Sequence, residues 1–411
     1  MKNLFFLLIT CIAFLSCQEN AGVTVTVTNP IDLERTNEMI EVSMADVAKS
    51  LNLPADGLVV VKDAQGNEIA YQVTHDEKII FPVSVGANTN ATYTIQQGTP
   101  KEVSVIACGK QYPERVDDIA WENDRVAFRT YGPALQRTGE RAFGYDVWNK
   151  RATTEPVVEE RYAIELNPET LAQIDSLRKV DPAAAAKLRA ETSYHVDHGN
   201  GGDCYKVGPT LGGGTAALLA DGEIVYPYCY KTFEILDNGP LRFTVKLTYN
   251  PLTVKDDTNV IETRVISLDA GSHLNKTVIS YTGLSGATPV ATGIVLHEPD
   301  GEVTADAAKG FITYVDPTDN PKADNGKIFV GAAFPKAVTE AKPVLFGEEE
   351  KANRGGADGH VLAISDYIPG SEYTYYWGAG WSKANIKDAA QWDQYMSDYA
   401  QKVRNPLVIK Y

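Results

Sequence analysis

Alternation of hydrophobic and polar residues with a period of two recurs along the chain and predicts β-strands. The clearest case is residues 23–28, where Val and Thr alternate without interruption, as in a strand with one buried and one exposed face. Similar strands are predicted at 58–61, 69–73, 79–85 and 91–95. This series ends near Gly98-Thr99-Pro100 and predicts a small N-terminal β-domain, similar to a β-sandwich, over residues 17–100.

From residue 102 onward the pattern predicts longer strands, without regular alternation between strand and helix. They are predicted at 125–130, 222–234, 241–249, 260–268, 276–282, 293–296, 310–315, 327–334 and 373–377. Asn-Gly, Asp-Gly and Pro-containing turns separate many of them. Because Rossmann and TIM-barrel folds need repeated strand–helix–strand units, the pattern disfavours both. It predicts one large β-domain over residues 101–411.

Helical insertions are predicted where a capping residue precedes a helical pattern. Ser43 can cap a short helix, and Asn167-Pro168 and Asp181-Pro182 can begin two more, since Pro is favoured at the first helical position. After Asp388, four large residues fall on one helical face: Trp392, Tyr395, Met396 and Tyr399. We expect that face to pack on a sheet.

The first residues have the pattern of an export signal. Lys2 precedes an apolar run over residues 4–15, which is too short to span a bilayer. Its end, Leu15-Ser16-Cys17, is similar to a bacterial lipoprotein box. We therefore predict a signal peptide over residues 1–16 and membrane attachment only through a lipid on Cys17. This makes the protein an outer-membrane lipoprotein on the periplasmic or cell-surface side; an ordinary signal peptide is the alternative.

Export places the remaining cysteines in an oxidising compartment. Cys108, Cys204 and Cys229 follow the signal, and a disulfide is favoured in such a compartment. Cys204 with Cys229 is the pair predicted first. The spacing of the cysteines matches no Cys-x-x-Cys zinc site.

Composition excludes some functions and favours others. The chain has 38 basic and 54 acidic side chains, a net charge of −16, which argues against nucleic acid as a partner. Hydrophobic residues make up 44%, which excludes general disorder. The chain has 21 Tyr against 12 Phe. Tyrosine combines an apolar ring with a polar tip and suits half-exposed surfaces.

Candidate chemistry is concentrated in residues 194–205, which hold two of the six histidines. The catalytic candidates there are Tyr194, His195 and His198, side chains that can exchange protons. A second interpretation is a divalent metal bound with the help of Asp197 and Asp203, although the spacing matches no metal template and the predicted chemistry requires no cofactor. The third is a polar loop in which aspartates cap turns and histidines bind the backbone.

Other candidates lie at strand ends and on strand faces. His297 ends a predicted strand and is a further catalytic candidate, although the turn residues that follow it also fit a purely structural role. Candidates for substrate binding are Arg129, Tyr131, Arg264, Tyr226, Tyr228, Tyr230 and Glu298. Tyr226, Tyr228 and Tyr230 are predicted to share one strand face, and Tyr373 and Tyr375 are predicted to share another. Such rings can stack on a sugar.

Residues 129–133, 144–148 and 195–199 resemble an uncharacterised-domain family of secreted lipoproteins from polysaccharide-degrading bacteria. The resemblance covers most of the chain after the signal. That family is similar in outline to galactose-mutarotase-like proteins, so the resemblance implies a mainly β fold with a β-supersandwich and short helical insertions.

The resemblance also implies a carbohydrate-active enzyme whose partner is an anionic poly- or oligosaccharide. The predicted reaction is β-elimination on a uronate-containing glycan, by a polysaccharide lyase or an oligosaccharide dehydratase. Such a reaction needs a base, an acid and a group that grips the uronate carboxylate. Two alternatives stay open: a mutarotase-like sugar epimerase and a non-catalytic glycan-binding lipoprotein.

Overall fold

The described chain, residues 22–411 of a computed structural model, consists mainly of antiparallel β-sheets. This confirms the mainly β class. The predicted signal peptide and Cys17 lie outside the described residues. Within those residues, no helix combines the length and hydropathy that crossing a membrane requires.

The strands are β1 Val23–Thr28, β2 Arg35–Ser43, β3 Val59–Lys62, β4 Glu68–Ile69, β5 Gln72–Val73, β6 Lys78–Val85, β7 Asn90–Gln97, β8 Cys108–Tyr112, β9 Asp118–Glu122, β10 Ala127–Thr130, β11 Asp146–Lys150, β12 Gly201–Asp203, β13 Gly213–Ala220, β14 Glu223–Val225, β15 Tyr230–Asn238, β16 Arg242–Tyr249, β17 Leu252–Val254, β18 Asp257–Asp269, β19 Leu274–Thr282, β20 Thr288–Leu296, β21 Val303–Asp306, β22 Phe311–Asp316, β23 Ile328–Ala333, β24 Glu340–Leu345, β25 Gly359–Tyr367, β26 Tyr373–Trp381 and β27 Val408–Lys410. The α-helices are α1 Met44–Leu51, α2 Pro133–Arg137, α3 Val157–Glu165, α4 Pro168–Val180, α5 Pro182–Thr192, α6 Glu348–Asn353 and α7 Ala389–Arg404.

The N-terminal strands form two sheets around a common core. One has five strands in the order β27-β1-β7-β3-β4, and the other has three in the order β2-β6-β5. The alternation in β1 works as predicted, because Val25 and Val27 are buried in this core together with Phe81 of β6. The last strand, β27, pairs with β1, so the C-terminal end of the chain completes the N-terminal sheet.

Three further sheets share the largest core. The widest has nine strands, in the order β15-β16-β18-β19-β26-β23-β22-β21 with β17 paired to β18. The other two have the orders β14-β13-β20-β25-β24 and β12-β11-β10-β9-β8. Trp377 of β26 lies at the centre of the core, where its ring stacks on Tyr145 with centroids 4.0 Å apart. Tyr373, Tyr375 and Trp377 do share a face, but that face is buried in the core.

The predicted helices form where their capping residues lie. Asn167 accepts hydrogen bonds from the first amides of α4, and Asp181 does the same for α5. Helix α7 begins after Asp388, and its Trp392 and Met396 are buried against β22 and β23. The prediction that this face packs on a sheet is therefore confirmed. Helix α3, which the pattern did not predict, precedes α4.

The predicted strand 222–234 is wrong in its middle, because β14 ends at Val225 and β15 begins at Tyr230. Pro227 lies in the gap, where it has no amide to donate to a ladder. Tyr226, Tyr228 and Tyr230 consequently do not share a strand face. Tyr226 lies under the Arg354 guanidinium at 3.8 Å, Tyr228 is 45% exposed and Tyr230 is buried.

The predicted disulfide is also wrong. Cys108, Cys204 and Cys229 are all free in the part of the chain that the structure describes. Cys204 directly follows β12 and Cys229 directly precedes β15, and these strands belong to different sheets. Burial raises the pKa of both thiols, so both are kept as protonated, unreactive groups.

Candidate functional site

One face of the sheet β12-β11-β10-β9-β8 carries charged side chains on four adjacent strands. The register places Arg129 opposite Asp146 and Trp148 opposite Asp203. Residues that face each other, and residues two apart on one strand, project from the same face. Asp118 of β9 projects from this face too. We call Asp118, Arg129, Asp146 and Asp203 the aspartate–arginine cluster.

Arg129 holds this cluster together. Its Nη2 donates to Asp203 Oδ2 at 2.7 Å and also contacts the Asp146 carboxylate, while its Nε lies 3.7 Å from Asp118 Oδ2. All four side chains are buried. Neither carboxylate oxygen of Asp118 has a hydrogen-bond partner among the described residues. Arg129 therefore contacts three carboxylates, and a second guanidinium, that of Arg115, lies 3.8 Å from Asp118 Oδ2.

This imbalance of charge keeps a proton in the cluster. Burial raises the pKa of Asp118 to about 7, and the charge of Arg129 only partly opposes the rise. Burial also raises the pKa of Asp146, and the negative charge of Asp203 adds to the effect. Like charges in a low-dielectric site cannot all ionise. A protonated carboxylic acid at neutral pH can donate a proton or a hydrogen bond.

Tyrosines surround the cluster. Arg129 donates from Nη1 to the Tyr162 hydroxyl at 3.1 Å and from Nη2 to the Tyr131 hydroxyl at 3.3 Å. The Tyr194 hydroxyl accepts from Arg115 Nε at 2.9 Å. The Tyr205 hydroxyl is buried and has no partner within residues 22–411. Burial raises the pKa of Tyr205 well above its usual value, so this hydroxyl stays protonated and can donate a hydrogen bond.

Two histidines lie at the open edge of the cluster, each beside carboxylates. His195, whose side chain is 46% exposed, places Nδ1 3.0 Å from the backbone carbonyl oxygen of Asp203, with carboxylate oxygens of Asp203 and Asp319 at 3.7 and 3.8 Å. His297, 15% exposed, places Nδ1 2.6 Å from Asp316 Oδ2. The carboxylate at Nδ1 orients the His297 ring and leaves its Nε2 for proton exchange.

The two histidines are linked through Tyr205. Its ring lies 5.9 Å from that of His297. On the other side, the backbone of Cys204, the residue before Tyr205, accepts a hydrogen bond from Asp319, the acid beside His195. The site therefore has a buried floor, the aspartate–arginine cluster with Tyr205, and a partly exposed rim, His195, His297 and Arg115.

The structure brings together about half of the residues that the sequence analysis selected. Those at the floor or rim are Arg129, Tyr131, Tyr194, His195, Asp203 and His297. The shared feature of this group is a contact with the cluster or with a carboxylate next to it.

His198 and Asp197 lie in the same loop but bind its backbone. His198 Nε2 lies 2.9 Å from the carbonyl oxygen of Ser193. Asp197 Oδ1 accepts from the amides of Gly199 and Gly201, and its other oxygen pairs with Lys383. Hydrogen bonds from these amides help to lower the pKa of Asp197 against the effect of burial. For these two residues the geometry matches the structural interpretation of the loop.

Arg264 and Glu298 lie apart from the cluster. The Arg264 guanidinium is buried and contacts Glu262, the Tyr145 hydroxyl at 2.8 Å and the carbonyl of Ala216 at 3.0 Å. All of its nitrogens are thus engaged inside the core. Glu298 is exposed in a turn that its own carbonyl closes with the amide of Gly301. Tyr230 is likewise engaged, with its hydroxyl 2.9 Å from Gln111.

Sequence reasoning missed Arg115, Asp118 and Asp146, and it covered Tyr205 only as part of residues 194–205. Each aspartate precedes apolar residues, as in Asp118-Ile119-Ala120 and Asp146-Val147-Trp148. A charge at the start of a strand-like apolar stretch was the available signal, because such a charge needs a partner if it is buried. The partners come from different strands, so the signal does not identify them.

The two candidate metal ligands each have a positive partner. Within residues 22–411, no group of three or more His, Cys, Asp or Glu side chains is arranged to hold a metal ion. Asp203 pairs with Arg129 and Asp197 with Lys383, in each case through one carboxylate oxygen.

Comparison with known proteins places the chain in a family. Residues 27–409 match the model described as a domain of unknown function, DUF4861. The chain belongs to the DUF4861 family. This confirms the expected membership of an uncharacterised-domain family. The chain is also similar to an uncharacterized protein, P7, of Formosa agariphila, with 24% identity over 431 residues that cover 100% of this chain and 99% of the relative.

Solved structures resemble this DUF4861 protein in fold. A protein in the glycosyl hydrolase family 38 from Enterococcus faecalis aligns with a TM-score of 0.50 and 8% identity, over 95% of this chain and 47% of that one. An alpha-mannosidase from Enterococcus faecalis V583 aligns with a TM-score of 0.47 and 8% identity, over 95% and 46% of the two chains. The chain thus spans about half the length of these structures.

Proposed function

We propose that this DUF4861 protein is a carbohydrate-active enzyme that works by acid–base catalysis at the aspartate–arginine cluster. The observation that carries the proposal is a buried cluster of three carboxylates around Arg129, with the partly exposed His195 and His297 at its rim and a carboxylate on Nδ1 of His297. Burying unbalanced charge costs free energy, and groups perturbed in this way are concentrated at functional sites. The fold-level likeness to a glycosyl hydrolase supports a carbohydrate substrate.

The proposed reaction is elimination from a uronate-containing glycan. A base removes the proton from the carbon next to the carboxylate, and the C–O bond at the following carbon breaks. A double bond forms between those carbons, and the leaving oxygen takes a proton and departs as water or as a sugar hydroxyl. His297 Nε2 is the proposed base, because Asp316 holds its Nδ1. The Tyr205 hydroxyl, beside that ring, is the proposed acid.

The substrate carboxylate needs a different partner from the one that the sequence suggested. Arg129 was expected to grip it, but the donors of Arg129 are used by Asp146, Asp203 and two tyrosines. Arg115 is the better candidate, because its side chain is 19% exposed and lies at the edge of the cluster, 3.8 Å from Asp118. In this proposal Arg129 positions the carboxylates, and protonated Asp118 adds a hydrogen-bond donor.

The geometry gives less support to a purely binding role. A non-catalytic glycan-binding protein was favoured by a row of three tyrosines on one strand face, and that row does not form. Sugar binding also does not require a partly exposed histidine whose Nδ1 is held by a buried carboxylate, as His297 is by Asp316. In a catalyst this arrangement leaves Nε2 free to act as the base.

The test is to incubate the purified protein with a panel of uronate-ended oligosaccharides and record the ultraviolet absorbance of the conjugated double bond. We expect absorbance to rise with the wild-type protein and the rate to fall by about 100-fold or more in His297→Ala, which removes the base. His198→Ala is the matched control, because His198 is exposed and contacts only the loop backbone. Its rate should stay near that of the wild type.

Four outcomes would contradict parts of the proposal. No new double bond across the whole panel would exclude elimination on these substrates. New reducing ends without absorbance would replace elimination by hydrolysis, and a changed sugar configuration without absorbance would replace it by epimerisation. Equal rates for His297→Ala and the wild type would show that His297 is not the base.

The proposal includes export as a lipoprotein, which places the enzyme where extracellular glycans arrive. The leader pattern before Cys17 motivates this part. Labelled palmitate should be incorporated into the wild-type protein in its native host and not into Cys17→Ser. Equal labelling of the two proteins would exclude the lipid anchor.

A further inference from the structure

A second site lies away from the aspartate–arginine cluster. A cavity of about 440 Å³ separates β2 from the outer face of the nine-stranded sheet, with α7 and the segment before β27 along its side. No residue of the cluster lines it. Ligand sites commonly have volumes of roughly 300–1,000 Å³ and often lie between packed units of a chain. The cavity is therefore large enough for one or two sugar rings.

The acidic side chains of the cavity already have positive partners. Glu38 pairs with Arg35, whose Nη1 lies 2.8 Å from its Oε1. Glu41 and Asp269 both pair with Arg242, at 2.6 and 2.5 Å. Three carboxylates thus share two guanidiniums, which leaves one negative charge.

The lysines of the cavity have no such partners. Lys276 on β19 and Lys402 on α7 both line it, and neither has a carboxylate within 4.0 Å among residues 22–411. With Arg35 and Arg242, the two lysines bring the charges to four positive against three negative, although the whole chain carries −16. An anion would therefore be attracted by the two lysines themselves and not by the overall field.

The remaining lining suits a sugar ring. The rings of Tyr376 and Tyr399 have centroids 5.3 Å apart, and Tyr395 lies 6.0 Å from Tyr399. Burial raises the pKa of Tyr376 to about 12 and that of Tyr399 well above its usual value, so both hydroxyls are donors. Glu38 Oε2 is a buried acceptor with no partner among the described residues. Rings, donors and an acceptor together can bind the faces and hydroxyls of a sugar.

We infer that this cavity binds an anionic sugar residue, with the acidic group on Lys276 and Lys402 and the ring beside Tyr376 and Tyr399. A carboxylate and a sulfate share the chemistry that two lysines recognise, so a uronate and a sulfated sugar are both ligands of this class. The inference does not depend on the proposed reaction, because none of its residues belongs to the catalytic site.

Hydrogen–deuterium exchange of the intact protein tests the inference, because it reports where a ligand binds. The probes are D-glucuronate, glucose 6-sulfate and, as the neutral control, glucose. With either anion we expect slower exchange in residues 36–41 and 395–409, the segments that line the cavity, and no change there with glucose. Protection by only one anion assigns the site to a carboxylate or to a sulfate and still supports it.

Variants then assign the contacts. Lys276→Gln with Lys402→Gln should weaken glucuronate or glucose 6-sulfate binding by at least about tenfold, because charge-assisted hydrogen bonds are lost. Lys246→Gln is the matched control, since Lys246 is exposed on the same sheet, lies outside the cavity and has no ion pair among the described residues. Its binding should not change. Protection by glucose equal to that by the anions, no protection by either anion, or unchanged binding in the double variant would each overturn the inference.

Discussion

Replacing Arg129 by methionine should destabilise the protein strongly, and by an amount that depends on pH. Arg129 is the guanidinium shared by Asp118, Asp146 and Asp203, and its side chain is buried. Methionine fills much of the same volume without the charge. Removing one partner of a buried ion pair typically costs about 3–5 kcal/mol, because the other charge is left unpaired.

The pH dependence follows from the protons that the carboxylates must bind. Without Arg129 their pKa values rise further in the folded state, whereas in the unfolded chain they stay near 4. A group with a raised folded-state pKa contributes stability at low pH and loses that contribution as pH rises through the folded-state value. The destabilisation by Arg129→Met should therefore be smallest near pH 5 and grow by about 1.4 kcal/mol per pH unit for each extra proton retained.

The assay is urea unfolding, followed by tryptophan fluorescence, at several values between pH 5 and 8. Arg264→Met is the matched control, because Arg264 is equally buried but has one carboxylate partner, Glu262. Both variants should be destabilised, and the pH dependence should be steeper for Arg129→Met. A loss of stability that is the same at every pH, or that depends on pH as steeply for Arg264→Met, would refute the description of Arg129 as the cation shared by three carboxylates.

Three other outcomes are expected. Asp118→Asn should become more stable relative to the wild type as pH rises from about 4 to about 7, the window between the pKa values of Asp118 in the unfolded and folded protein. If the melting temperatures of the variant and the wild type change in parallel across this range, the pKa of Asp118 is not raised. Trp377→Ala, which empties the centre of the core, should cost about 3–5 kcal/mol in urea unfolding, whereas Tyr228→Ala, at an exposed ring, should cost less than about 1 kcal/mol. A reductant should leave the melting temperature unchanged, and alkylation of Cys204 and Cys229 should require unfolding, as mass spectrometry of labelled peptides can check; a lower melting temperature in reductant would indicate a disulfide.

Local signals predicted most elements that have one buried face and a clear boundary. The period of two in β1 and the capping residues of α4 and α5 needed no tertiary information. The strand predicted over 222–234 failed because Tyr226, Tyr228 and Tyr230 have a strand-like composition, while Pro227 interrupts the ladder. The pattern correctly predicted strand structure in this region, but it wrongly predicted one continuous strand where the structure has two.

The candidate site was predicted in part. The histidine-rich loop drew attention to Asp203, which contacts Arg129, but also to His198 and Asp197, which bind the backbone of their own loop. Composition alone cannot separate these residues, since all are polar residues on one glycine-rich connection. The difference is that the Asp203 side chain reaches Arg129 on β10.

The sequence by itself determined the class of the fold, the places of its capped helices and the loop where chemistry was to be sought, because those properties depend on neighbours within a few residues. Only the tertiary structure decided which charges meet. Asp118, Arg129, Asp146 and Asp203 come from four strands separated by as many as 85 residues, and strand pairing alone brings their side chains together. Their shared proton follows from burial and from each other's charge, and neither exists until the sheet has formed.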